Sequence, residues 1–189
     1  MTTKILALVC LLSLGAVSAC AADLAVGGQA PLFNANDHDG NLWQGNKHIG
    51  QGKYLVVYFY PAAMTGGCTK QACAYRDDAA TLKELGVQVV GISADPVNNL
   101  KAFQQAEALN FRLLSDVNGT IAQRFGVPLR DGGSIQRSVD GQEMTLTRSY
   151  TTARWTFIID RQGKLVHKQT DVKAANDSQD VIAFIKARG

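Results

Sequence analysis

The segment Lys53-Tyr54-Leu55-Val56-Val57-Tyr58-Phe59-Tyr60 runs directly into Pro61-Ala62-Ala63-Met64-Thr65-Gly66-Gly67-Cys68-Thr69-Lys70-Gln71-Ala72-Cys73. Its first part is an almost unbroken apolar, aromatic and β-branched run, the pattern of a strand buried on both faces. Pro61 stops it. From Thr69 to Leu85 the residues are helix formers, with apolar side chains at Ala72, Tyr75, Ala79, Leu82 and Leu85, close to a 3.6-residue period. Gly86 ends that helix and Val87–Ser93 reads as a second buried strand. A strand, a small-residue loop, a helix and a strand in succession point to an α/β fold.

Working outward, the same alternation continues. Asp95-Pro96 offers a capping residue and a first-turn proline for a helix running to about Leu109. Phe111–Leu114 is a short strand, Asn118–Phe125 a short helix, and Arg154–Asp160 a third core strand. Arg161-Gln162-Gly163 turns the chain into Lys164–Thr170, antiparallel to that strand, and Ala175–Arg188 closes as an amphipathic helix. Residues 128–152 are polar and turn-rich, with Asp131-Gly132-Gly133 and Asp140-Gly141, and read as an excursion containing a hairpin. Before the core, Asp39-Gly40-Asn41 forms a turn between two edge segments, an N-terminal β-hairpin. The expected fold class is α/β: a mixed central sheet with helices on both faces, one domain over residues 23–189.

The chain's first residues belong elsewhere. Lys4 precedes the apolar run Ile5–Val17, too short for the roughly 20 residues that span a bilayer. It ends in Val17-Ser18-Ala19-Cys20-Ala21-Ala22, the small-residue exit of a secretory signal. The run has no polar face, which argues against a buried amphipathic helix. Cleavage after an A-x-A exit makes residues 1–21 the signal peptide and discards Cys20. A lipobox reading of the same residues removes 1–19 and leaves Cys20 as a lipidated, membrane-anchoring first residue. Both outcomes stay open, and both place the mature protein in an extracytoplasmic, periplasmic setting where disulfides persist.

Composition narrows the function classes. The chain has 189 residues, 46% hydrophobic and 19% charged, an ordinary globular balance that excludes a disordered chain. A net charge of +3 without a basic run leaves no electrostatic footprint for nucleic acid. Four cysteines, Cys10, Cys20, Cys68 and Cys73, are too few for a disulfide scaffold and too sparse for a closed zinc site. His38, His48 and His167 are scattered, and read as solvated or hydrogen-bonded rather than as ligands or bases. Neither a metal nor a cofactor is expected.

Cys68 falls in the first turn of a helix, where free N–H donors and the helix dipole stabilise a thiolate. Gly66 and Gly67 allow close backbone approach, and Thr65 supplies a hydroxyl that can donate and accept. Five residues on, Cys73 lies about 8.6 Å away along a regular helix and points some 140° off. A disulfide needs roughly 4.4–6.8 Å, so bridging requires the first turns to unwind. That suits a thiol which first reacts with an oxidant and is then rescued by its neighbour. A static structural bridge fits this geometry poorly.

Pro61-x-x-x-Thr65-x-x-Cys68 resembles the P-x-x-x-[TS]-x-x-C motif of the peroxiredoxins (AhpC/TSA superfamily). With Tyr58-Phe59-Tyr60 before it and Ala72-Cys73-Ala74-Tyr75-Arg76-Asp77 after it, the C-x4-C pair is similar to the peroxiredoxin Q, or bacterioferritin comigratory protein, branch. The resemblance covers about residues 26–188 and implies a thioredoxin-like fold. It implies a thiol peroxidase acting on hydrogen peroxide and organic hydroperoxides, with a thioredoxin-like dithiol protein as reductant. Cys68 would be the peroxidatic cysteine, Cys73 the resolving one, and Thr65 the hydroxyl that orients the peroxide. Pro61 would shield the sulfur, and Arg154 would be the arginine that favours thiolate and developing oxyanion. The branch is often monomeric, which makes a monomer the expectation. Gly66 stands where proline is usual and Gln71 where glutamate is usual, and residues 128–152 run longer than their counterpart. Two other readings remain: an exported thioredoxin-type oxidoreductase, which needs C-x-x-C, and a Sco-like copper carrier using both cysteines and His167.

Overall fold

A computed structural model describes residues 24–139 and 141–188. The signal-peptide reading and Cys10 and Cys20 lie outside the described residues, as do Asp23, Asp140 and Gly189. The elements in chain order are β1 (Asn34–Asp37), β2 (Leu42–Gln44), β3 (Tyr54–Phe59), α1 (Gly66–Asp77), α2 (Ala79–Glu84) and β4 (Val87–Ser93). They continue with α3 (Val97–Ala106), β5 (Arg112–Ser115), α4 (Thr120–Arg124), β6 (Leu129–Val139) and β7 (Gln142–Thr152). The chain closes with β8 (Trp155–Ile159), β9 (Leu165–Gln169) and α5 (Asp177–Lys186).

Seven strands form one mixed sheet in the order β2-β1-β5-β4-β3-β8-β9. β3, β4 and β5 run parallel, while β8 lies antiparallel to β3 and β1 antiparallel to β5. β1 and β2 pair as the N-terminal hairpin around the Asp39–Gly40 turn. The strand period of two divides β3 between two cores. Leu55, Val57 and Phe59 pack with Phe125, Phe157 and α4 on one face. Val56, Tyr58 and Tyr60 pack on the other face with α1, α2, α3 and α5, through residues such as Tyr75, Leu82, Phe103 and Ile182. Helices therefore cover both faces, as expected from the alternation of elements.

The helix expected over Thr69–Leu85 begins earlier, at Gly66, and is broken into α1 and α2 at Asp78. Asp78 leaves helical geometry with φ −87° and ψ 5°. Its carboxylate accepts hydrogen bonds from Ser178 Oγ and Gln179 Nε2 of α5, each at 2.7 Å. This tertiary contact interrupts a run that local propensity alone would continue. A second correction concerns Asp95. The N-cap position of α3 is Pro96, without a side-chain cap, and the Asp95 carboxylate turns away into the interior.

The polar stretch 128–152 is a long two-stranded hairpin, β6–β7, paired from Leu129 with Thr152 to Val139 with Gln142. Its buried positions lie on β7, where Leu146, Arg148 and Thr152 alternate inward. That inward face is what ties the hairpin to the rest of the site.

Candidate active site

Tyr60 carries the chain out of β3, and residues 61–65 loop to the start of α1. Thr65 occupies the N-cap position, yet its hydroxyl does not cap the helix. Thr65 Oγ1 donates instead to the carbonyl of Ala62 at 2.9 Å. Met64 takes a left-handed conformation, φ 59°, which a non-glycine residue adopts only at a cost in strain. The loop is held by longer-range bonds. Asp95 Oδ2 accepts from the Ala63 N–H at 2.8 Å, Arg137 Nε donates to the Met64 carbonyl at 2.8 Å, and Thr152 Oγ1 donates to the Tyr60 carbonyl at 3.0 Å.

Asp95 is fully buried and receives Ser93 Oγ, Asn99 Nδ2 and Arg148 Nε as well as Ala63. Arg148 Nη2 also lies 2.8 Å from Asp95 Oδ1, but off the hydrogen-bond line, so Nε carries the directed bond. The Arg148–Asp95 ion pair thus couples β7 to the loop before Cys68. It also explains why Asp95 does not cap α3, since a buried counter-charge outweighs a local backbone N–H.

Cys68 sits in the first turn of α1 and is 1% exposed. Arg154, just ahead of β8, places Nη2 3.4 Å from its sulfur and donates through Nη1 to Gln71 Oε1. Asp160 and Asp77, which could have held Arg154 in a surface ion pair, are engaged elsewhere: Asp160 by the N–H groups of Gln162 and Lys164, Asp77 by Arg76. Gly67 makes room for this arrangement, because a Cβ there would stand 3.2 Å from Arg154 Nη2. A Cβ at Gly66 would meet open space. Pro61 and Arg154 also border a cavity of about 480 Å³, lined further by Pro128, Arg130 and Trp155.

Cys73 lies on the same helix in a different setting. It is half-buried and its thiol donates to Glu107 Oε2 at 3.5 Å. Burial pushes the Cys73 thiol up, Arg76 pulls it back, and the hydrogen bond and charge of Glu107 raise it again. Arg76 in turn donates to the Glu107 carbonyl at 2.6 Å, and Asn110 Nδ2 to the Arg76 carbonyl at 3.1 Å. Both cysteines are free thiols and α1 is intact across them, so a bridge between them requires α1 to unwind.

Of the residues expected at the site, Cys68, Thr65, Pro61 and Arg154 gather at the junction of β3, α1 and β8, with Cys73 at the far side of the helix turn. Sequence reasoning missed Asp95, Arg137, Arg148 and Asp177. Period-two alternation along Leu146-Thr147-Arg148-Ser149-Tyr150-Thr151-Thr152 was the available signal for Arg148. The histidines are spoken for by packing and hydrogen bonds. His38 Nδ1 accepts from the Leu113 N–H, His48 stacks on Trp43, and His167 packs on Phe184 with ring centroids 4.5 Å apart. Among the described residues no group of three or more His, Cys, Asp or Glu side chains is gathered as a metal site.

The AhpC/TSA family pattern matches residues 26–168. Peroxiredoxin Bcp of Escherichia coli (strain K12) is 39% identical over 164 residues, which is 86% of this chain and 96% of that protein. The chloroplastic peroxiredoxin Q of Suaeda salsa is 37% identical over 142 residues, 75% of this chain and 58% of that one. Among solved structures, peroxidoxin BcpB of Mycobacterium tuberculosis superposes with a TM-score of 0.69 at 31% identity, covering 86% of this chain and 96% of that one. The mixed sheet with helices on both faces is thus the thioredoxin-like architecture of these neighbours.

Proposed function

We propose, for a chain that belongs to the AhpC/TSA family and whose relatives are thiol peroxidases of the Bcp and peroxiredoxin Q kind, a two-cysteine cycle begun by Cys68. The Cys68 thiolate attacks the distal oxygen of a hydroperoxide. The O–O bond breaks, the sulfur becomes a sulfenic acid, and the leaving alkoxide or hydroxide takes up a proton to depart as alcohol or water. The observation that carries this reading is the Arg154 guanidinium 3.4 Å from the sulfur, at a helix N-terminus. A fixed cation there favours both the attacking anion and the charge that grows on the leaving oxygen. Thr65, whose proton is committed to Ala62, keeps lone pairs to accept from the peroxide O–H. Pro61 keeps bulk water from the sulfur.

Cys73 then supplies its thiol to the sulfenic acid, forming the Cys68–Cys73 disulfide and releasing water. α1 unwinds to allow it, and an external thioredoxin-like dithiol returns both sulfurs to thiols. Hydrogen peroxide and organic hydroperoxides are both within this chemistry. Residues 1–21, or 1–19 where Cys20 is lipidated, read as an export signal, so we place the cycle outside the cytosol.

Stopped-flow mixing of the reduced chain with hydrogen peroxide tests the reading. Oxidation orders of magnitude faster than that of free cysteine is expected, and Cys68→Ser should abolish it. Full activity in Cys68→Ser would overturn it. Insulin reduction in the absence of peroxide would favour the oxidoreductase reading instead.

A further inference from the structure

Behind Arg154 lies a second set of side chains that the peroxidase chemistry leaves unexplained. Arg154 Nη1 donates to Gln71 Oε1, and the other end of that amide, Gln71 Nε2, donates to Asp177 Oδ2 at 2.7 Å. Tyr75 OH and Thr156 Oγ1 converge on the same oxygen, each at 2.8 Å. Gln71, Tyr75, Thr156 and Asp177 are all 2% exposed or less, so water does not compete for these bonds. Three elements meet at one carboxylate: α1 through Gln71 and Tyr75, β8 through Thr156, and α5 through Asp177 itself.

An amide can present either end to a neighbour, and the choice is made by what surrounds it. Toward Arg154 only the carbonyl end works, because a guanidinium has no acceptor. An ionised Asp177 has no donor, so it demands the NH2 end of Gln71 on its own side. The two requirements agree, and Asp177 enforces the orientation Arg154 needs. We propose that Asp177 is a positioning residue that, through the amide of Gln71, holds the Arg154 guanidinium against the Cys68 sulfur. This rests on the reading of Cys68 and Arg154 given above. The arrangement also gives a physical reason for Gln71 in place of glutamate: a second carboxylate at that position would face Asp177 at hydrogen-bond distance.

The test is charge exchange along the chain of contacts, made in a Cys73→Ser background so that only the Cys68 step is read. Gln71→Glu alone sets two carboxylates against each other and should slow peroxide oxidation of Cys68 by about tenfold. Adding Asp177→Asn gives the new carboxylate at position 71 a donor on one side and Arg154 on the other, and should restore the rate to within about threefold of the parent. Asp177→Ala, checked for folding by circular dichroism, should slow the step as Gln71→Glu does. Iodoacetamide alkylation of Cys68 at fixed pH gives a second readout that needs no peroxide, and should follow the same order. Equal rates in Gln71→Glu and in Gln71→Glu/Asp177→Asn, by both readouts, would overturn the positioning role. A parent protein that is slow with peroxide while its alkylation still follows the expected order would overturn the peroxidase reading and leave Asp177's role standing.

Discussion

Cys68 and Cys73 share one helix, five residues apart, yet their surroundings are opposite. Cys68 is buried, with a guanidinium donating to its sulfur and the N-terminal turn of α1 beneath it. Cys73 is half-buried and donates its S–H to a carboxylate, Glu107, in a setting that raises its thiol above the ordinary value. In the proposed cycle this difference matches two kinds of work. One sulfur has a guanidinium and a helix N-terminus beside it, groups that favour negative charge, and the other has its thiol raised and is the one that acts once α1 opens. Their supports differ as well. The Cys68 end is tied to β7, β8 and α5 through Asp95–Arg148, Arg154 and Gln71–Asp177. Around Cys73 the bonds include a set to the α3–β5 connection, through Glu107 and Asn110.

The largest effect should come from removing the cation. Arg154→Leu is expected to slow Cys68 oxidation by about 10²–10³, the usual cost of losing one donor aimed at developing charge. Reaction of the sulfenic acid with Cys73 should be little changed, as single-turnover kinetics would reveal; equal slowing of both steps would erase the contrast between the two sites. Next comes the buried pair. Arg148→Met strands the Asp95 carboxylate without its counter-charge and should lower stability by about 3–5 kcal/mol in urea unfolding. Where the variant remains folded, peroxide oxidation should suffer more than disulfide formation, because the Ala63 loop held by Asp95 leads directly into the first turn of α1, which carries Cys68.

A smaller effect is expected at Cys73. Because the Cys73 thiol is raised, disulfide formation should climb with pH across neutrality and beyond the ordinary thiol range. Glu107→Gln removes the carboxylate charge, brings the thiol down and increases the thiolate present at a given pH. Resolution near pH 7 is then expected to run about threefold faster, with its rise shifted to lower pH. A shift to higher pH would contradict the role given to Glu107. The smallest effect belongs to Gly66, the first residue of α1, where no neighbour would meet a side chain. Proline is suited to that position, so Gly66→Pro should raise stability by about 0.4–1 kcal/mol and leave oxidation unaltered.

How much of this was legible beforehand depends on the range of the forces involved. β3 and β4 could be read because burial on both faces leaves an apolar run that nothing else explains. Cys68, Thr65 and Pro61 could be read because their spacing is local, and Arg154 through the family resemblance that pairs it with them. The break at Asp78 could not, since its causes, Ser178 and Gln179, lie about one hundred residues away. Asp177 looks like an ordinary acidic helix start, and only tertiary packing turns its carboxylate toward Gln71. Arg148 was concealed in a stretch whose exposed face dominates its composition. Asp95 misled because its sequence neighbours advertise a helix cap while its strongest partner comes from another strand.

Site-resolved mass spectrometry can show whether the two thiols differ in kind. Reduced Cys73→Ser and Cys68→Ser proteins are each mixed with one equivalent of hydrogen peroxide, quenched within a second and mapped. Residue 68 of the first protein should carry one added oxygen, and residue 73 of the second should be unmodified. Oxygen on Cys73 at a comparable rate would contradict that difference.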